Sequence, residues 1–127
     1  MSSLSYDLER AYISLDGKGG VVTHPVGPDF WSTIDTNPSI QPTLITVSGS
    51  DSSWPSWEMH PRGDEILVLL QGEATMVFER AGGDEHIPMR AGASLVVPTG
   101  VWHRAIIAAP MRMLFITYGE GTTHRPV

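Results

Sequence analysis

The sequence predicts an all-β domain, a sandwich or barrel of short strands. Two observations predict it. Runs rich in Val, Ile, Leu and Thr recur at residues 43–47, 65–70, 73–79, 85–89, 94–97, 102–107 and 111–118. Between most of them stand turn residues: Gln71-Gly72, Ala81-Gly82-Gly83-Asp84, Arg90-Ala91-Gly92, Pro98 with Gly100, and Ala108-Ala109-Pro110. Short strands at close spacing with Gly- and Pro-bearing turns are the pattern of a closed or double-layered β fold. No periodic stretch is long enough to supply the helix of a βαβ unit. A length of 127 residues suits one domain with one sizeable core.

Taken in order, residues 1–5 are expected to be loosely held. Residues 6–15 mix Tyr6, Leu8, Tyr12, Ile13 and Leu15 with charged neighbours and fit neither period, so a helical turn and a strand both stay open. Asp16-Gly17-Lys18-Gly19-Gly20 is a turn by composition, and residues 21–23 fit a short strand. Pro25, Gly27 and Pro28 interrupt the chain after it, leaving Phe30 and Trp31 as apolar anchors in an irregular segment. Residues 36–39 turn again. Residues 43–47, Thr-Leu-Ile-Thr-Val, form a strand because β-branched side chains fit a pleated surface. Residues 49–53 are a Ser-rich loop leading through Trp54 to Trp57. From Glu65 the strands and turns alternate regularly to Tyr118, and the tail from Gly119 is expected to be weakly ordered. The expected organisation is a single domain over 1–127, with a less regular cover at 1–42 and a barrel core at 43–118.

The formal net charge is −6, which argues against nucleic acid or an anionic membrane as partner. Cysteine is absent, so disulfides and thiolate chemistry are excluded. No apolar run reaches the length of a membrane span. Residues 1–10 lack a basic region followed by an apolar run, so the expected location is the cytoplasm.

The chemistry concentrates in Trp57-Glu58-Met59-His60-Pro61-Arg62-Gly63-Asp64-Glu65 and in Gly92 to His103. Strand side chains alternate with period two, so Glu65 shares a face with Leu67 and Leu69 and begins an inward row. A carboxylate there must be paired, protonated or bound to a cation. His103 stands at the mouth of its own strand with Ala105 and Ile107 on its face, and His60 is close enough in sequence to reach Glu65. Two imidazoles and a carboxylate at one end of a barrel suit Fe(II), Mn, Zn, Ni or Co. Glu58 lies on the side of His60 in an extended chain, as a fourth ligand or as a base. Each residue also has a plainer reading: a lone His is usually a rim residue, and a Glu at a strand start is usually solvated.

These two stretches resemble the two motifs of the cupin superfamily, small jelly-roll barrels built as a double-stranded β-helix. Glu65, six residues and then Gly72 follow the first motif, and the family's second histidine falls on His60. Its first histidine falls on Glu58, and Ser52 stands where a glycine leads the motif. Gly92, Pro98, Gly100 and His103 follow the second motif, with Ile107 in place of its final Asn. The resemblance covers residues 43–118 and implies one divalent transition metal (Fe, Mn, Zn or Ni) held by His60, Glu65 and His103, with Glu58 a further ligand or the catalytic base. The motif's glycines and Pro98 read as scaffold, ending strands where positive φ is needed or a ladder donor is absent.

Residues expected near the metal are Trp57, Met76, Phe78, Trp102, Phe115 and Tyr118, with Trp54 and Trp57 as rim or lid. Arg62 and Arg104 are candidate anchors for a carboxylate, Arg104 pointing away from the cavity if His103 points in. His24 and Trp31 are candidates to cover the mouth. Uncovered sheet edges and the resemblance together imply a homodimer, through the strand at 44–47 or the segment near Val21. The function implied is a metal-dependent enzyme acting on a small polar organic molecule, by oxygenation, isomerisation or lyase chemistry. The alternatives are a non-catalytic small-molecule binding or sensing protein and a metal-free barrel.

Overall fold

A computed structural model describes residues 5–127; the expectation for residues 1–4 lies outside the described part. Two antiparallel sheets face each other. The strands are β1 (Ala11–Leu15), β2 (Val21–Pro25), β3 (Thr43–Ser50), β4 (Ser56–Met59), β5 (Glu65–Gln71), β6 (Glu73–Phe78), β7 (Glu85–Arg90), β8 (Ser94–Val97), β9 (His103–Ile106), β10 (Met111–Tyr118) and β11 (Thr123–Pro126), with one 3-10 turn at Ile34–Thr36. The six-stranded sheet runs β2-β1-β3-β10-β5-β8, and the five-stranded sheet runs β11-β4-β9-β6-β7. This is the jelly-roll, double-stranded β-helix arrangement that the motifs imply. The open segment at 6–15 resolves as strand β1 from Ala11 onward, paired on one side with β2 and on the other with β3.

Period two sets the core. On β5, Glu65, Leu67 and Leu69 point inward and are buried, while Ile66 and Leu70 on the alternate face are exposed. Leu67 and Leu69 meet Met76, Phe78, Ala105, Ile107 and Met113 between the sheets. Each fully buried side chain of this size contributes roughly 1.5–3 kcal/mol of transfer free energy. A second cluster of Tyr12, Phe30 and Leu44, with Val26, Ile34 and Ile40 against it, seats the irregular segment on the end of the barrel.

Two elements differ from expectation. Residues 123–126 are a strand, where a weakly ordered tail was expected. β11 pairs with β4 over Thr123–Met59 to Pro126–Ser56, and Arg125 stacks over the rings of Trp57 and Trp102. These long-range contacts have no signature in the tail's own sequence. β4 itself reads as a lead-in because Pro55 and Pro61 bracket it, yet it sits between β11 and β9. The strand at 44–47 is also no sheet edge: β3 has β1 and β10 on its two sides, so a partner strand cannot add there.

Candidate metal centre

Four side chains converge at one end of the barrel, from both sheets. Glu65 opens β5, directly opposite Thr117 of β10 and Val97 of β8. Glu58 on β4 is paired with His103 on β9. His60 follows β4 and is fixed by its own carbonyl, which accepts the Gly100 N–H at 2.9 Å, so the Pro98-Thr99-Gly100 turn holds it in place. Asp64 completes that clasp by accepting the Thr99 N–H and O–H. The two motifs, 40 residues apart in sequence at His60 and Gly100, are therefore tied together by backbone.

His60 Nε2 lies 3.0 Å from Glu58 Oε1 and 3.3 Å from Glu65 Oε2. His103 Nε2 lies 3.5 Å from Glu58 Oε1 and 3.2 Å from Glu65 Oε1. One donor atom from each of the four residues falls within 4.8 Å of the others. His60, Glu65 and His103 are buried, and Glu58 faces the cavity at 23% side-chain exposure.

The surrounding hydrogen bonds set the tautomers. His103 Nδ1 faces the Val101 carbonyl at 3.0 Å, so that nitrogen carries the proton. Thr122 spends its hydroxyl proton on the Gly119 carbonyl at 2.7 Å, so its oxygen accepts from His60 Nδ1–H at 2.8 Å. Both Nε2 lone pairs are thereby aimed into the centre. Thr117 O–H donates to Glu65 Oε2 at 2.6 Å, orienting that carboxylate. Three buried atoms, His60 Nε2, Glu65 Oε1 and His103 Nε2, have no hydrogen-bond partner. Buried polar atoms are almost always satisfied, so three orphans facing one point mark a place for a cation. The residues fit: two neutral imidazoles and two carboxylates balance a divalent ion and are capable of chelating it.

Without a cation, protons take that role. Burial pushes the His60 and His103 imidazoles down, but the Glu58 and Glu65 carboxylates outweigh it and hold both up at about 9. Burial likewise pushes the two carboxylates up, and the same imidazoles overcome it, holding Glu58 and Glu65 below the ordinary carboxylate range.

The centre lies at the floor of a cavity of about 800 Å³. Trp54, Phe115 and Trp31 line it, as expected of a rim, a wall and a mouth. Other expectations are corrected. Trp57 is on the opposite face of β4 from Glu58, under the Arg104 and Arg125 guanidiniums, and Trp102 lies under Arg125. Met76 belongs to the core between the sheets, and so does Phe78, which also stands opposite His103 in the β6–β9 register and therefore beside the centre. Tyr118 packs close to Gly63, outside the cavity lining. His24 is buried against Ser14, its Nε2 hydrogen-bonded to the Ser14 hydroxyl at 2.6 Å, and Ser14 also accepts the Gln41 N–H. Neither arginine lines the cavity: Arg62 is exposed beside Glu120, and Arg104 stacks on Trp57 as the inward setting of His103 requires.

His124 was missed by sequence reasoning. It sits opposite Glu58 in the β11–β4 register, and its Nε2 is 2.9 Å from Glu58 Oε2. Only the strand pairing of the tail reveals it. Thr117 was also missed, although the inward row Met113, Phe115, Thr117 offered a signal.

Comparison with known proteins accords with this architecture. The family model described as a cupin domain matches residues 44–117. The chain belongs to the cupin family. This cupin is 29% identical over 111 residues to YjlB of Bacillus subtilis (strain 168), an uncharacterized protein, covering 79% of this chain and 66% of that one. A cupin superfamily protein from Desulfitobacterium hafniense DCB-2 is 28% identical with a TM-score of 0.51, over 59% of this chain and 65% of that one. An oxalate decarboxylase mutant of Bacillus subtilis superposes with a TM-score of 0.53 at 16% identity, over 67% of this chain and 24% of that one, which is a likeness of fold alone. The chain thus spans less than two thirds of the length of each of these relatives. Among the described residues no helix is long and apolar enough to cross a membrane.

Proposed function

We propose that this cupin is a metal-dependent enzyme acting on a small polar organic molecule. The observation that carries the proposal is the set of three orphaned buried atoms, His60 Nε2, Glu65 Oε1 and His103 Nε2, converging beside Glu58. His60, Glu65 and His103 hold the ion. Glu58, His60 and Glu65 all line the cavity, and Glu58 is the most exposed of them, so it is the group that meets a bound molecule and moves a proton. A divalent ion in this place supplies Lewis acidity to a ligand oxygen. Fold does not choose among oxygenation, isomerisation and lyase chemistry.

The test compares wild type and Glu58→Gln, each loaded anaerobically with Fe(II), Mn, Zn or Ni. Dioxygen uptake and loss of candidate small molecules are followed by electrode and mass spectrometry. The expected result is turnover by wild type and a fall of about 100-fold or more in Glu58→Gln that keeps its metal. Ligand binding without turnover in any loaded form supports a binding or sensing protein instead.

We also propose a homodimer. The outer face of the six-stranded sheet carries an aliphatic row in register, Ile13, Ile45, Ile116, Ile66 and Val96, on five successive strands. Ile66 and Val96 are 39% and 54% exposed. A contiguous apolar face of this kind supports packing against a second copy.

A further inference from the structure

We infer that the cavity takes a neutral or singly cationic organic molecule with an aromatic or branched aliphatic body, and disfavours small carboxylate anions. The inference deepens the metal-enzyme reading and rests on it for the polar end of the ligand. The walls are apolar and aromatic: Trp31, Ile34, Ile40, Leu44, Trp54 and Phe115. Trp54 and Phe115 stand together, with ring centroids 6.1 Å apart, and Trp54 lies edge-on to His103 at 6.2 Å. A flat apolar body resting there places its polar end at the centre.

Charge separates the possible polar ends. With an ion bound, Glu58 and Glu65 cancel its two charges, so the floor is neutral. The further formal charges of the lining are Asp35 and Glu120, both negative; no Lys or Arg is among the described residues that line the cavity, and His124, which does line it, is engaged by Glu58 Oε2 at 2.9 Å. Arg62 lies 4.0 Å from Glu120 with both side chains mostly exposed, which offsets part of the rim charge without placing a cation inside. A carboxylate entering this space gains no guanidinium or ammonium partner; a bound ion is its one cationic partner, already balanced by Glu58 and Glu65, and on the way in it passes two like charges at the exposed rim. A neutral ligand finds suitable partners in the Asn37 and Gln41 amides. A cation finds the aromatic faces and the rim carboxylates.

The test is isothermal titration calorimetry on the full chain, metal-free and zinc-loaded, with indole-3-acetate, indole-3-acetamide and tryptamine. These share one body and carry a negative, no and a positive charge at neutral pH; oxalate is titrated beside them. The amide and the amine are expected to bind at least about tenfold more tightly than indole-3-acetate in both forms. Trp54→Ala weakens both by about tenfold, and Asp35→Asn combined with Glu120→Gln narrows the gap. Indole-3-acetate or oxalate binding as tightly as the amide, or no binding by any of the indoles, overturns the inference. The two readings fail separately. A protein that takes up no zinc but keeps the order in its metal-free form refutes the metal centre alone. A protein that holds zinc and prefers the anions refutes only the ligand class.

Discussion

At the scale of residues, the centre is set as much by the groups behind it as by its four members. Thr122 and the Val101 carbonyl hold the Nδ1 protons of His60 and His103, leaving both Nε2 atoms free to bind. Thr122→Val removes the acceptor for His60 while keeping the side-chain shape. We expect divalent-metal affinity to fall about 10- to 100-fold, read by competition with a chelator, with the melting temperature of the metal-free chain changed far less. The pH dependence comes from the same geometry. The folded metal-free chain holds protons on His60 and His103 up to about 9, whereas unfolded imidazoles release them near their ordinary value. That stability is complete below the unfolded value and is lost as pH rises through about 9. Glu58 and Glu65 are held down, so their contribution is present above the ordinary carboxylate range and lost in strong acid. An ion displaces the imidazole protons. Melting curves with and without added zinc should therefore converge in acid and separate as pH rises toward about 9. A separation that shrinks over that range contradicts this setting of the histidines. His60, Glu65 and His103 were legible in the sequence because they fall on the positions of the two cupin motifs and because Glu65, at the head of the inward row of β5, needs a partner. Glu58 was legible because it is two residues from His60 in an extended chain. His124 and Thr122 were not, because their places depend on how the tail folds back onto β4, while Thr117 was signalled only by the inward row of β10.

At the scale of elements, the clasp between the two motif turns and the hairpin at Gly72 fix the frame. Gly72 has φ +82, and a Cβ there would lie 2.6 Å from the Pro110 carbonyl oxygen. Gly72→Ala is thus strained in its own backbone and blocked by a neighbouring one. We expect a loss of about 1–3 kcal/mol, measured by urea unfolding; an unchanged midpoint contradicts this packing of the β5–β6 turn against β10. Strands β5 to β10 were legible because alternation and turn residues agree along residues 65–118. β4 and β11 were hidden for a shared reason. Each is short and polar, bounded or ended by Pro, and stable only because the other, with the Arg125 stack on Trp57 and Trp102, completes the edge of the five-stranded sheet. Trp57 and Trp102 were misplaced by the same gap: their side of the strand cannot be assigned until Glu58 and His103 are known to face inward.

At the scale of the whole molecule, two sheets enclose a core at one end and a metal-competent cavity at the other. The outer aliphatic row makes association testable. Light scattering after gel filtration should give twice the chain mass of 13.8 kDa, and Ile66→Lys with Val96→Lys should give the monomer; a monomeric wild type contradicts the dimer. The central claim is that His60, Glu65 and His103 bind one divalent ion beside Glu58. The most direct measurement is elemental mass spectrometry on protein purified without a metal-binding tag, beside His60→Ala and His103→Ala. We expect about one divalent ion per wild-type chain and loss of that ion in both variants. Wild type that stays metal-free after incubation with Fe(II), Mn, Zn and Ni contradicts the claim and leaves a cupin barrel whose buried His–Glu cluster holds protons alone.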